Sequence, residues 1–186
     1  MLSNTYIRHL LRSWLMLALI MLATEIVATE LPEIPNTKVY SSSLISAGQP
    51  DKSQFTEIAN SGIQVVINLA PKNLPKSLKN EEKLVQSNGM SYFFIPIDWG
   101  KPTQEDFVHF LEVMESVVGK KVLVHCWVNA RASAFVYLYR VLRQDQPQDA
   151  EFANLERIWE SNEGYELRNV PRWGEYLDKI LARYRN

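Results

Sequence analysis

One short stretch of the chain brings together a nucleophile, an imidazole and a guanidinium. The apolar run Val122, Leu123, Val124 ends in His125 and Cys126, and Cys126 is the only cysteine in the 186 residues. Four residues follow, Trp127, Val128, Asn129 and Ala130, before Arg131 opens an apolar pattern that runs to about Leu142. This reads as strand, tight turn and helix. The first helical turn has backbone N–H groups without intrahelical acceptors, and the helix dipole makes the turn electropositive. A cysteine facing that point loses its proton more readily. An arginine there adds a planar fork matched to phosphate or sulfate oxygens. Taken singly, a buried cysteine reads as a small hydrophobe and the arginine as a solvated side chain. In this order and spacing they read as a nucleophile aimed at an oxyanion.

The composition excludes several alternatives. With 46% hydrophobic and 22% charged residues the chain is of ordinary globular make-up. A net charge of −1 leaves no basic excess for a nucleic-acid partner. A single cysteine forbids an intramolecular disulfide and zinc sites built on several cysteines. His9, His109 and His125 are not spaced as a ligand set, so neither a metal nor a cofactor is expected.

The first 28 residues differ from the rest. Arg8 and Arg12 precede an apolar run from Ser13 to Ala23, and Ala23 or Ala28 could precede a cleavage site. That is the plan of a signal peptide, and the run is shorter than the about 20 residues of a comfortable membrane span. Export is expected, to the periplasm in a bacterium. Glu25 leaves retention as a membrane anchor open, and membrane contact is expected only in that case. Residues 29–186 are read as one domain.

Strands and helices alternate through that domain. Short strand-like pieces fill Val39 to Ser46, and the turn Ala47-Gly48-Gln49-Pro50 leads to a helix over 52–61. Ile63 to Leu69 is rich in β-branched residues and reads as a strand. A helix over 78–88 ends at Gly89, and a strand follows from Tyr92 to Ile97. After the turn at Asp98, Thr103 and Asp106 form a capping box for an amphipathic helix carrying Phe107, Phe110, Leu111 and Met114. The helix over 131–143 is apolar nearly all round and therefore central. Helices near 149–160 and 171–184 close the chain, with Trp159 and Trp173 packing them onto the body. This alternation predicts an α/β domain with a central, mostly parallel sheet flanked by helices.

His125-Cys126 after an apolar strand, with arginine opening the next helix, resembles the cysteine-dependent protein tyrosine and dual-specificity phosphatases. AGQP (47–50), GIQVVINLA (62–70) and YFFIPIDW (92–99) extend the resemblance to the compact bacterial members, across residues 40–143. The resemblance implies a phosphatase-like fold and a phosphorylated substrate, protein or small molecule, or another oxyanion. It implies Cys126 as the nucleophile, Arg131 as the oxyanion binder and Asp98, at a strand end, as the general acid. The phosphate-binding loop is then Cys126, Trp127, Val128, Asn129, Ala130, Arg131, Ala132 and Ser133. The resemblance also implies that Ser133 helps expel the thiol, and that His125 orients the loop and tunes the thiolate by hydrogen bonding.

The loop departs from that family. The usual spacing has five residues between cysteine and arginine, and the usual glycine is replaced by Asn129, which tolerates φ > 0 better than most residues. With a gap, Arg131 keeps its role and the loop lacks one amide donor. Without a gap, Ala132 takes the arginine's place, and one residue on a helix is about 100° of rotation. Either alignment implies weakened or lost catalysis. Four intervening residues are also the spacing of rhodanese-like sulfurtransferases, whose cysteine carries a persulfide. A non-catalytic anion- or protein-binding module is the third reading.

Overall fold

The computed structural model describes residues 30–72, 74, 77–162 and 166–185. Residues 1–28, read above as leader or anchor, lie outside them. Among the described residues no helix is long and apolar enough to cross a membrane.

Five strands form one sheet in the order β1-β2-β5-β3-β4: β1 (Lys38–Ser41), β2 (Leu44–Ala47), β3 (Val65–Asn68), β4 (Ser91–Phe94) and β5 (Val122–His125). Only the edge pair β1–β2 is antiparallel, and β2, β5, β3 and β4 run parallel. The sheet is mostly parallel, as the alternation of elements predicts. β2, β3 and β5 are buried along their whole length, as strands covered on both faces must be.

Alternate side chains serve two separate cores, because successive residues of a strand point to opposite faces. Val65, Ile67, Val122 and Val124 belong to the larger core. It is completed by α3 (Gln104–Ser116), α4 (Ala130–Arg143), α5 (Gln148–Glu160) and α6 (Pro171–Tyr184). Val66 and Leu123 face the smaller core, with α1 (Phe55–Asn60) and α2 (Glu81–Ser87). α4, with Ala132, Phe135, Val136 and Leu138 fully buried, is the central helix of the larger layer.

Several boundaries differ from the sequence expectation, β3 covering Val65–Asn68 rather than Ile63 to Leu69. The helix expected over 52–61 begins as a 3-10 turn, Lys52–Gln54, with the Asp51 N–H donating to Gln54 Oε1 at 2.8 Å. α2 starts at Glu81 rather than 78, because Asn80, at φ −125° and ψ 30°, is not helical. The strand expected to reach Ile97 leaves its ladder after Phe94. Ile95 and Ile97 still donate to Asn68 O and Leu69 O, so the segment tracks β3 toward Asp98.

Candidate active site

Parallel strands deliver their C-terminal ends to one edge of the sheet, and three of the sequence motifs meet there. Ala47 and Asn68 flank His125 in register on its two sides. The Cys126 N–H donates to Ala47 O at 3.2 Å, and Leu69 N–H donates to His125 O at 2.8 Å. The loop is then fastened from outside by its carbonyls. Gln49 N–H donates to Trp127 O at 3.0 Å, Asn36 Nδ2 donates to Val128 O at 3.3 Å, and Trp159 Nε1 donates to Ala130 O at 3.1 Å. Gly48 pairs with Val128 at close quarters: a Cβ there would sit 2.9 Å from Pro35 O and 3.1 Å from Trp127 O. The AGQP turn is thus a brace for the cysteine loop.

Asn129 turns that loop into α4. It adopts φ +68°, the left-handed region, and its Nδ2 donates to Asn36 O at 2.6 Å. Ser133 N–H is bonded back to Asn129 O at 3.0 Å. The preceding amides of Ala130, Arg131 and Ala132 belong to the turn that has no intrahelical acceptor, which directs positive potential toward the loop.

Arg131 is 6% exposed, and its Nε donates to Ile97 O at 2.9 Å. Its guanidinium carbon lies 5.0 Å from the centroid of the Trp99 ring. The arginine is therefore held against the segment that carries Asp98, while Ala132 is fully buried in the core. Asp98 itself is exposed, its Oδ1 accepting from the Gly100 N–H at 2.7 Å. Ser133 Oγ lies 2.6 Å from Asn129 O, to which it donates. Its proton is thereby committed to the loop backbone. Cys126 has 0% exposure, so an anion reaches the sulfur only when the covering residues move. Trp127, at the loop's start, is partly exposed, but its Nε1 is buried without a protein partner.

Glu81 is the residue that sequence reasoning missed. It is 3% exposed and joins three motifs. Its Oε2 accepts from Gln49 Nε2 at 2.6 Å, and its Oε1 from Asn68 Nδ2 at 2.8 Å and from His125 Nε2 at 2.9 Å. Burial pushes its carboxyl upward, but the charge of His125 and the three hydrogen bonds outweigh that and hold it below the usual carboxylate range. A glutamate in a first helical turn ordinarily serves the dipole. The available signal was the chemistry of its partners, since three buried polar motif residues need a common acceptor. A cleft of about 450 Å³ opens beside it, walled by Glu81, Asn68, Tyr92, Lys72, Lys79 and Lys83. Among the described residues no group of three or more His, Cys, Asp or Glu could hold a metal ion.

Three tryptophans clamp the Asp98 segment onto α4. Trp99 lies 5.5 Å from Trp159 and 5.1 Å from Trp173, and the latter two lie 5.7 Å apart, between ring centroids. Trp173 Nε1 donates to Trp99 O at 3.1 Å. Arg172 Nη1 and Tyr176 OH add bonds to Gly100 O and Thr103 O. The C-terminal helices thus fasten the loop between β4 and α3.

No family model matches the chain. The crystal structure of the DUF442 candidate phosphatase of Shewanella putrefaciens CN-32 superposes with a TM-score of 0.75 at 37% identity, covering 83% of this chain and 94% of that one. TpbA of P. aeruginosa, in complex with phosphotyrosine, has a TM-score of 0.63 at 13% identity, over 88% and 99% of the two chains. That likeness is one of fold. A beta-lactamase hydrolase-like protein of Xylella fastidiosa (strain 9a5c) is 27% identical over 135 residues, 71% of this chain. The chain spans 30% of the length of that curated relative. The chain belongs to the DUF442 family of candidate phosphatases, and it shares its fold with phosphatases such as TpbA.

Proposed function

We propose that the protein binds a phosphomonoester at the Cys126–Ser133 loop and hydrolyses it slowly through Cys126. The observation that carries this reading is the bond from Arg131 Nε to Ile97 O. It ties the oxyanion-binding candidate at the start of α4 to the segment bearing Asp98, at the sheet edge where β5 delivers Cys126. In the reaction the Cys126 thiolate attacks phosphorus and the bond from phosphorus to the leaving oxygen breaks. Arg131 holds the equatorial oxygens and Asp98 protonates the departing group. Water then cleaves the S–P bond, giving its proton to Asp98 and releasing phosphate. The loop is one residue short of the superfamily's usual spacing. Losing one oxyanion donor typically costs about 10²–10³ in rate, so slow turnover is expected.

The spacing of four residues between Cys126 and Arg131 favours a second reading. A sulfurtransferase would take the outer sulfur of thiosulfate onto Cys126, expelling sulfite, and pass it to an acceptor such as cyanide. An aryl phosphate is the first substrate to try, because TpbA, of the same fold, is seen with phosphotyrosine. The test measures phosphate release from an aryl phosphate and thiocyanate formation from thiosulfate and cyanide, for the parent and for Cys126→Ser. Phosphate release that disappears in Cys126→Ser is the expected result. Thiocyanate formation alone would replace the phosphatase reading with sulfur transfer. Neither product, from folded protein, would leave a non-catalytic anion-binding module.

A further inference from the structure

We propose that Asn36, in the lead-in segment before β1, is a positioning residue for the anion loop: it grips Val128 and Asn129 from outside and so holds the amides that open α4 in place. The inference rests on the reading of Cys126–Ser133 as the anion-binding loop.

Asn36 lies 92 positions before Val128 in the chain, yet its side chain and its backbone hold two successive loop residues. Its Nδ2 donates to Val128 O at 3.3 Å, and its carbonyl accepts from Asn129 Nδ2 at 2.6 Å. Asn129 Oδ1 is buried without a protein partner. The bond to Asn36 O therefore fixes which way that side-chain amide points. Asn36 adopts φ +53°, in the left-handed region, which asparagine tolerates better than most residues. The two asparagines form a reciprocal pair. Each sits in a left-handed turn, and each donates its side-chain N–H to the backbone of the other's segment.

The clamp is anchored at both ends. Asn36 Nδ2 also donates to Asn162 Oδ1 at 2.6 Å, and Asn162, just beyond α5, donates in turn to Ile158 O at 2.8 Å. On the other side Ile34 is 3% exposed in the smaller core. Pro35 O accepts from Gly48 N–H at 2.7 Å, and Glu33 O accepts from Gln54 Nε2 at 2.8 Å. The lead-in segment therefore resists a shift of the loop instead of following it. What it holds bears on the chemistry, because the amides of Ala130, Arg131 and Ala132 follow directly from Asn129. Moving that pivot re-aims all three together, and misplacement by about 1 Å costs up to about 10²-fold in rate. With only four residues between Cys126 and Arg131, the loop takes this brace from outside itself.

The full chain is compared as the parent, Asn36→Asp and Asn36→Gly. The aspartate keeps size and tolerance of φ > 0 but cannot donate to Val128 O. The glycine keeps the turn and the carbonyl and loses the side chain. Vanadate affinity is measured by calorimetry. Closure of the loop is measured by the rate at which iodoacetamide modifies Cys126, the single and fully buried thiol. Urea unfolding gives the change in alkylation that a general loss of stability would produce. The inference expects both variants to bind vanadate about tenfold more weakly, the net worth of one or two hydrogen bonds. It also expects Cys126 to be modified about tenfold faster than the stability loss accounts for, through local opening of the loop. Unchanged vanadate affinity in folded variants overturns it, as does alkylation that rises only in step with the stability loss. Should Asn36→Asp fail to fold, Asn36→Gly, which suits a positive φ, decides by the same measurements. The two readings fail separately. A parent that binds no vanadate sinks the anion-loop reading, and the alkylation rates alone then decide the role of Asn36. Vanadate bound by the parent and equally by the variants leaves the anion loop standing and removes Asn36 from its support.

Discussion

At φ +68°, Asn129 performs two tasks that a glycine would divide between itself and a neighbour. It supplies the left-handed turn into α4, and its Nδ2 ties the loop to Asn36 O. Asn129→Gly keeps the turn and loses the tether, for about 1 kcal/mol. Asn129→Ala loses the tether and also forces a Cβ without local hydrogen bonding into the left-handed region, for roughly 1–2 kcal/mol more. Urea unfolding of both variants should therefore rank alanine below glycine, and equal losses would contradict the backbone account. At this scale Cys126 and Arg131 were legible because strand, thiol, short turn and guanidinium form a local pattern. Spacing alone left two alignments of the loop open. The structure places the Arg131 guanidinium against Ile97 and Trp99 and buries Ala132. Glu81 was illegible, because its meaning lies in Gln49, Asn68 and His125, which only the fold brings together.

The last two helices belong to the site's support rather than to a separate layer. α5 contributes Trp159 to the carbonyl of Ala130, and α6 contributes Trp173 to the carbonyl of Trp99. Between them the three indoles hold the Asp98 segment against the start of α4. Trp173→Phe retains most of the apolar area and drops one buried hydrogen bond, for about 1 kcal/mol. Trp173→Ala empties a fully buried site and should cost about 3–5 kcal/mol. Chemical denaturation measures both, and a loss below that of the phenylalanine variant in Trp173→Ala would refute the clamp. Elements with strong periodicity were read from sequence with little displacement, α3 and α6 above all. α2 and β4 were not. Leu78 to Asn80 have helix-compatible residue types but lie before the helix, Lys79 and Asn80 in a turn, and Ile95 and Ile97 are strand-like residues that bond to β3 outside the regular ladder.

On the scale of the molecule, a mostly parallel sheet between two helical layers gathers its chemistry at one edge. That arrangement followed from the alternation of strands and helices, since parallel neighbours need crossovers and crossovers cover both faces. Which segments would meet across the edge did not follow, because pairing order is a property of the whole chain. β5 stands between β2 and β3, so AGQP and INLA flank the cysteine although both precede it by many residues. The central claim is that this edge presents Cys126 as the atom that forms a bond to substrate. It is tested most directly by rapid acid quench of the parent during reaction with an aryl phosphate, followed by mass measurement of the peptide carrying the single cysteine. The account predicts a phosphate increment on Cys126, absent from Cys126→Ser and reduced in Arg131→Ala. An unmodified Cys126 during measurable phosphate release, or a peptide that instead gains only a sulfur atom when thiosulfate is supplied, would contradict it.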